Sequence, residues 1–366
     1  MTRICHKLRN MVYKKDITSI ISKMTTEEKI AQLFITTPES LAKTDKTLQS
    51  FQTELEQSIT SVPIGGLLYY GRNLSNPKQT SEFLKKTLTC YLSRTGIPLF
   101  QCIDEESGIV SKVANNANFQ VENAGSPFYI GKTYDTIQTE RIGRYIGRYL
   151  FELGFNTDFA PCADILSNPR NQVIGERAFG NNPNIVSNMA DAFAHGLLME
   201  NIIPTYKHFP GHGDTENDSH LGYAYTNKTL DELMNCEIIP FANGIKKDIP
   251  IIMVGHISLP HITGNHDPAS LSKEIIDGLL RQQLGYDGIV ITDSLKMKAI
   301  SDNLSSKDAA IKAIEAGADL ILRPLDFYEA YNGVICATKS GMILESRIDK
   351  SLRRILKVKE MISINN

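Results

Sequence analysis

The chain of 366 residues contains no tryptophan, so any flat stacking surface must come from its 14 tyrosines and 14 phenylalanines. It has no run of about 18 apolar residues, which removes a membrane-spanning helix from the expected elements. An excess of charge is also missing. The 39 Lys and Arg against 41 Asp and Glu leave a net charge of −2, and with it no footprint for nucleic acid or a membrane surface. No CxxC pair occurs among the six cysteines, Cys5, Cys90, Cys102, Cys162, Cys236 and Cys336. Cys102 and Cys162 fall in apolar runs that read as buried strands, so free thiols in a reducing compartment are expected. Low-complexity segments, Pro-rich linkers and short repeats are absent. Residues 1–16 are basic but lack the apolar stretch of a secretory signal. They read as a loosely attached arm, and a cytoplasmic chain is the expectation.

What is present is the composition of a globular protein, 42% hydrophobic and 22% charged. Eight short apolar runs alternate with amphipathic stretches: Ala31–Thr36, Gly66–Tyr70, Leu99–Asp104, Asn156–Pro161, Ile203–Lys207, Ile251–Gly255, Gly288–Asp293 and Asp319–Leu322. Helical patterns lie between them, over Ile137–Leu153, Asn184–Met199, Leu230–Lys246 and Lys307–Ala316, the last with Gly317 as its stop. The tail is also helical, with Ile348, Leu352, Ile355, Leu356 and Met361 on one face of Ser346–Ile364. Runs that are largely apolar rather than alternating suit strands buried on both faces. Eight such alternations predict an α/β fold, a (β/α)8 TIM-type barrel in a single domain over 17–366. A doubly wound open sheet is the structural rival. Several runs end in polar groups: Asp104–Glu106, Lys207–His208, His256 and Asp293. In a barrel these ends converge on one mouth, where barrel sites are built.

The densest polar stretch is KHFPGHGDTENDSH, residues 207–220. Gly211 and Gly213 allow backbone geometry that a Cβ resists. Asp218 lies two residues before His220, close enough for its carboxylate to fix one imidazole tautomer and make the pair a proton carrier. Spacing alone leaves this open, because many Asp–His pairs are structural. His208, His212, Asp214, Asp218 and His220 could instead ligate zinc or manganese. Asp293 ends an apolar strand. A carboxylate there could attack a sugar anomeric carbon, or it could cap a following helix, and its position does not choose.

These residues resemble a known signature. KHFPGHGDTENDSH matches every fixed position of the pattern K-H-[FI]-P-G-[HL]-G-x4-D-[ST]-H of glycoside hydrolase family 3 β-N-acetylglucosaminidases. MTTEEKIAQLF, IGGLLYYGRN, NTDFAPCADI, NQVIGERAFGNNP, VITDSLKM and AGADLIL resemble further family segments, over about residues 17–362. The resemblance implies a retaining exo-hydrolase with Asp293 as nucleophile, His220 as acid/base and Asp218 as its partner. Asp104, Lys112, Arg177, Lys207 and His208 would bind the sugar, without metal or cofactor. A one-domain member with its acid/base on a barrel loop is expected, acting as a monomer on a carbohydrate, with no nucleic-acid or membrane partner. GlcNAc linked to muramic acid, from peptidoglycan fragments, is the implied substrate, and chitooligosaccharides are a second. Phosphorolysis is a variant, since a histidine acid/base repels phosphate less than a carboxylate does. A metal-dependent barrel hydrolase and a non-catalytic sugar-binding protein are the remaining readings. Two departures stand out: Ser107 replaces a glycine, and Lys112 replaces an arginine whose two-pronged contact lysine cannot make. Ala114–Asn123 is rich in asparagine and lacks the family's Phe-Thr-x-x-Pro. Without tryptophan, a short substrate clasped by hydrogen bonds is expected rather than a polysaccharide groove.

Overall fold

A computed structural model describes residues 16–217, 222 and 224–362. The eight expected strands all form: β1 (Phe34–Thr36), β2 (Gly66–Leu68), β3 (Phe100–Ile103), β4 (Thr157–Asp158), β5 (Ile203–Phe209), β6 (Ile251–Val254), β7 (Ile289–Thr292) and β8 (Ile321–Leu322). From β1 to β7 each strand pairs in parallel with the next, and β1 pairs in parallel with β8. A parallel bridge between Ile291 and Leu320 joins β7 to β8 and closes the barrel, which excludes the open sheet. Every residue of these eight strands is buried, which is why they read as largely apolar runs rather than alternating ones.

The helices follow local signals. Thr136–Leu153 starts at Asp135, whose carboxylate accepts the Gln138 N–H, and Ser306–Ala316 stops at Gly317 as expected. Three expectations need correction. Ala31 ends the helix Thr26–Ala31, set by a Thr25–Glu28 capping box, and does not open β1. The single helix expected over Leu230–Lys246 is two, Leu230–Met234 and Ile239–Lys246. Pro240 lacks an N–H to continue the first helix but fits the first turn of the second. The tail helix runs Glu345–Lys359 and buries Ile348, Leu352, Ile355 and Leu356, whereas Met361 lies past its end, exposed. No helix among the described residues is long and apolar enough to cross a membrane. Cys102 and Cys162 are buried free thiols, and Cys90, Cys236 and Cys336 are free as well.

Candidate active site

The C-terminal ends of β3, β5, β6 and β7 bring the expected polar residues together. Lys207 lies inside β5 rather than at its end, because that strand continues to Phe209. Its Nζ donates to Asp104 Oδ1 (3.0 Å) and pairs with Glu106 Oε1 (2.5 Å). Glu106 in turn accepts both arms of Arg177, Nε to Oε2 and Nη2 to Oε1, each at 2.8 Å. The Glu106 and Lys207 side chains are 1% and 3% exposed, so neither charge is solvated and each depends on the other. Burial alone pushes the Glu106 carboxyl up, but Lys207 and Arg177 outweigh it and hold the group at about 2. Burial likewise pulls Lys207 down, and Glu106 with Asp104 more than reverses it. Asp104 remains half-buried.

A second network fixes His208. Asp164, fully buried, accepts the His208 ring at Nδ1 (2.7 Å), the His208 N–H (3.1 Å), the His212 N–H (2.6 Å) and the Cys162 thiol (3.2 Å). A carboxylate on Nδ1 keeps that nitrogen protonated and leaves Nε2 as an acceptor. The Arg177 Nη2 placed 3.4 Å from Nε2 agrees with this tautomer. Desolvation would raise Asp164, but the two histidines hold it well below the usual carboxylate range.

Asp293 directly follows β7 and is half-buried. It caps no helix. The next helix is Lys298–Ser301, with Met297 at its cap, and Asp293 Oδ1 instead accepts the adjacent Ser294 N–H (2.6 Å). Burial raises its pKa, while His256, His208, the Ser294 N–H and Lys207 pull harder and set it below the ordinary value. The group is therefore ionised at neutral pH. His256 is buried beside it, its Nε2 on the Ser294 carbonyl (3.0 Å) and its Nδ1 on Ser270 Oγ (2.7 Å). Burial lowers its pKa, against the opposing pull of the Asp293 carboxylate.

The loop after β5 is described as far as Asn217, and Asp218 and His220 lie outside the described residues. Gly211 sits at φ +129°, and a Cβ on Gly213 would stand 1.7 Å from the Ile165 carbonyl oxygen, so both positions need glycine. Asn171 Nδ2 donates to the His212 carbonyl (2.7 Å) and holds the loop from below. Asp214 is tied to Lys228 (3.1 Å) and to Thr226 Oγ1 (2.6 Å). Glu216–Asn217 pairs antiparallel with Ala224–Tyr225, which pairs with Ile257–Ser258 after β6.

Among the described residues, the one cluster with metal-ligand chemistry is Cys162, Asp164 and His208, whose donor atoms lie within 4.8 Å of one another. All three are already spent on the hydrogen bonds to Asp164. The alternative metal set does not assemble from its described members, because His212 Nδ1 faces Thr215 Oγ1 (2.9 Å) and Asp214 faces Lys228.

The glycosyl hydrolase family 3 N terminal domain matches residues 25–358. The chain belongs to that family. It is 32% identical over 330 residues to beta-hexosaminidase A of Pseudoalteromonas piscicida, covering 84% of this chain and 55% of that protein. It is 34% identical over 271 residues to beta-hexosaminidase LpqI of Mycobacterium tuberculosis, covering 72% and 68%. The family 3 beta-N-acetylglucosaminidase of Paenibacillus sp. str. FPU-7 superposes with a TM-score of 0.86 at 32% identity, over 94% of this chain and 64% of that one. The chain thus spans between about half and two thirds of these relatives' lengths.

Against the family pattern, the two departures have structural contexts. Ser107 sits at φ +79°, a region glycine favours, with its Oγ on the Gly125 carbonyl (2.6 Å). Lys112 stands apart from the Lys207 network. Its backbone N–H reaches Glu105 Oε2 (2.5 Å), and its ammonium has no partner among the described residues. The asparagine-rich segment knits the Glu105–Ser111 hairpin. Asn123 bonds Gly108 at both its N–H (2.9 Å) and carbonyl (2.7 Å), and Asn115 Nδ2 reaches the same carbonyl (3.0 Å). Sequence reasoning left out Glu106, Asp164 and His256 as site residues. Glu106 and His256 stood in polar clusters at strand ends. Asp164, inside the apolar NTDFAPCADI, gave no such signal.

Proposed function

We propose that the chain is a retaining exo-β-N-acetylglucosaminidase that removes terminal β-linked GlcNAc. The observation that carries this reading is Asp293, an ionised carboxylate at the barrel mouth beside Lys207, His208 and His256. The beta-hexosaminidase names of the relatives support the activity. Asp104, Lys207, His208 and Arg177 bind the sugar hydroxyls, with Lys112 at the margin. Asp293 attacks the anomeric carbon as the bond to the leaving oxygen breaks, and His220, oriented by Asp218, gives that oxygen its proton. His220 then takes a proton from water, which displaces Asp293 and releases the sugar. GlcNAc joined to a muramic acid residue is the substrate. The catalytic unit is one barrel over 17–366, working as a monomer.

The test is turnover of an aryl β-N-acetylglucosaminide by the wild type and by Asp293→Asn. The variant should lose nearly all activity, and unchanged turnover removes Asp293 from the mechanism. His220→Ala should slow substrates with poor leaving groups more than activated aryl ones, because only the former need a proton. Sugar 1-phosphate formed in phosphate buffer would replace hydrolysis by phosphorolysis.

A further inference from the structure

One cation at the barrel mouth has no place in this mechanism. Arg323 directly follows β8, with its N–H on the Ile35 carbonyl of β1 (2.7 Å) and φ at +45°. Its side chain spans the end of β1 to reach Tyr70, just beyond β2. Nη1 donates to the Tyr70 hydroxyl (2.6 Å), and the guanidinium carbon lies 4.6 Å from the ring centroid. Strands β8 and β2 are not neighbours, so this contact bridges the rim of the mouth. The Tyr70 hydroxyl also senses the site. Burial raises it, Arg323 pulls it down, and the carboxylates of Asp104 and Asp293 push it up again.

Arg323 is half-buried, and among the described residues no carboxylate pairs with it. The other guanidiniums nearby differ. Arg177 is satisfied by both oxygens of Glu106, and Arg72, 5.3 Å from the same Tyr70 ring, has Glu39 at 3.5 Å. A guanidinium carries five donors in a planar fork matched to a carboxylate, and Arg323 spends one on a neutral hydroxyl. Contact with the ring face holds the group at the rim while leaving its other donors without a partner among the described residues. Such a group attracts an oxyanion to a mouth whose own acids are engaged by Lys207, Arg177 and Ser294.

We propose that Arg323, presented by Tyr70, is a specificity-determining residue that receives a carboxylate on the leaving-group sugar. This rests on the function proposed above and assigns the residue that would recognise the acid group of its leaving sugar. The experiment compares kcat/KM on GlcNAc-β-1,4-muramic acid and on the same disaccharide with its carboxylate converted to an amide. Wild type, Arg323→Ala, Arg323→Lys and Tyr70→Phe are measured, with an aryl β-N-acetylglucosaminide as reference. The wild type should prefer the acid by about ten-fold or more, the scale of one charge-assisted hydrogen-bonded contact. Arg323→Ala should bring the acid-to-amide ratio close to one, with Arg323→Lys in between and Tyr70→Phe partly reduced. The ratio is internal to each variant, so a smaller folded fraction does not disturb it. An unchanged ratio in Arg323→Ala, or no preference in the wild type, overturns the proposal. So does a variant that loses only a response to added inorganic phosphate, which would make free phosphate the anion received. No turnover of the aryl glycoside by the wild type would instead defeat the proposed function itself.

Discussion

Replacing Glu106 by glutamine removes one charge from the centre of the site while nearly preserving its shape. The carboxylate faces Lys207 at 2.5 Å and both arms of Arg177 at 2.8 Å, with its side chain 1% exposed. Two routes give the size of the loss. Breaking a buried ion pair by removing one partner costs about 3–5 kcal/mol, because the remaining cations stay desolvated and unpaired. Independently, a carboxyl held at about 2 in place of 4.5 stabilises the folded state by roughly 3 kcal/mol, at about 1.4 kcal/mol per pH unit. Because the folded value is the lower one, this stabilisation is complete above the unfolded value near 4.5. It is lost as pH falls toward 2. Urea unfolding of wild type and Glu106→Gln should therefore differ by about 3 kcal/mol at pH 7 and by about half that at pH 3. Turnover should fall as well, since Lys207 and Arg177 lose their common anchor. A difference below about 1 kcal/mol at pH 7, or one that does not shrink on acidification, would refute the reasoning.

The remaining predictions concern stability. Lys359 is buried against the Phe100 and Tyr91 rings with its Nζ on Gln32 Oε1 (2.9 Å), and burial pulls its pKa down to about 7. The charged form is disfavoured on folding, so Lys359→Met should gain roughly a few kcal/mol at pH 7 and lose that advantage above about pH 10.5. A destabilised variant at pH 7 would contradict this. Gly213→Ala sets a Cβ 1.7 Å from the Ile165 carbonyl oxygen and should cost at least about 2 kcal/mol, checked by thermal melting against an unchanged midpoint. At Ser107, alanine keeps the left-handed strain and loses the bond to Gly125, while glycine loses both. Alanine should be about 1 kcal/mol less stable than wild type and glycine close to it. Equal melting of the two variants would remove the strain.

The sequence carried much of this. The largely apolar runs located all eight strands because barrel strands are buried on both faces, so most of their positions on either face are apolar. A helix end was legible where a glycine sets it, as at Gly317. Helix ends were misread where Pro240 divides one amphipathic stretch into two helices. Lys207, His208 and Asp104 stood out as polar residues at the ends of apolar runs, and the structure joins Lys207 to Asp104 at 3.0 Å.

What remained illegible depends on partners distant in the chain. Nothing near Glu106 in sequence announces that it holds Lys207 and Arg177, 101 and 71 residues away, because ion pairing follows spatial separation. Asp164 reads as one acid in an apolar run until His208 and His212 close on it, and the His208 tautomer exists only through that contact. Asp293 could attack or cap a helix on position alone, and the later start of the next helix, at Lys298, removes the capping role. Local periodicity thus determined the barrel, and strand-end polarity picked out some of the polar residues at its mouth. Only the closed tertiary structure decided which of those residues face one another. The charge state of each buried group was settled there too, since it depends on desolvation and on partners that only folding brings within reach.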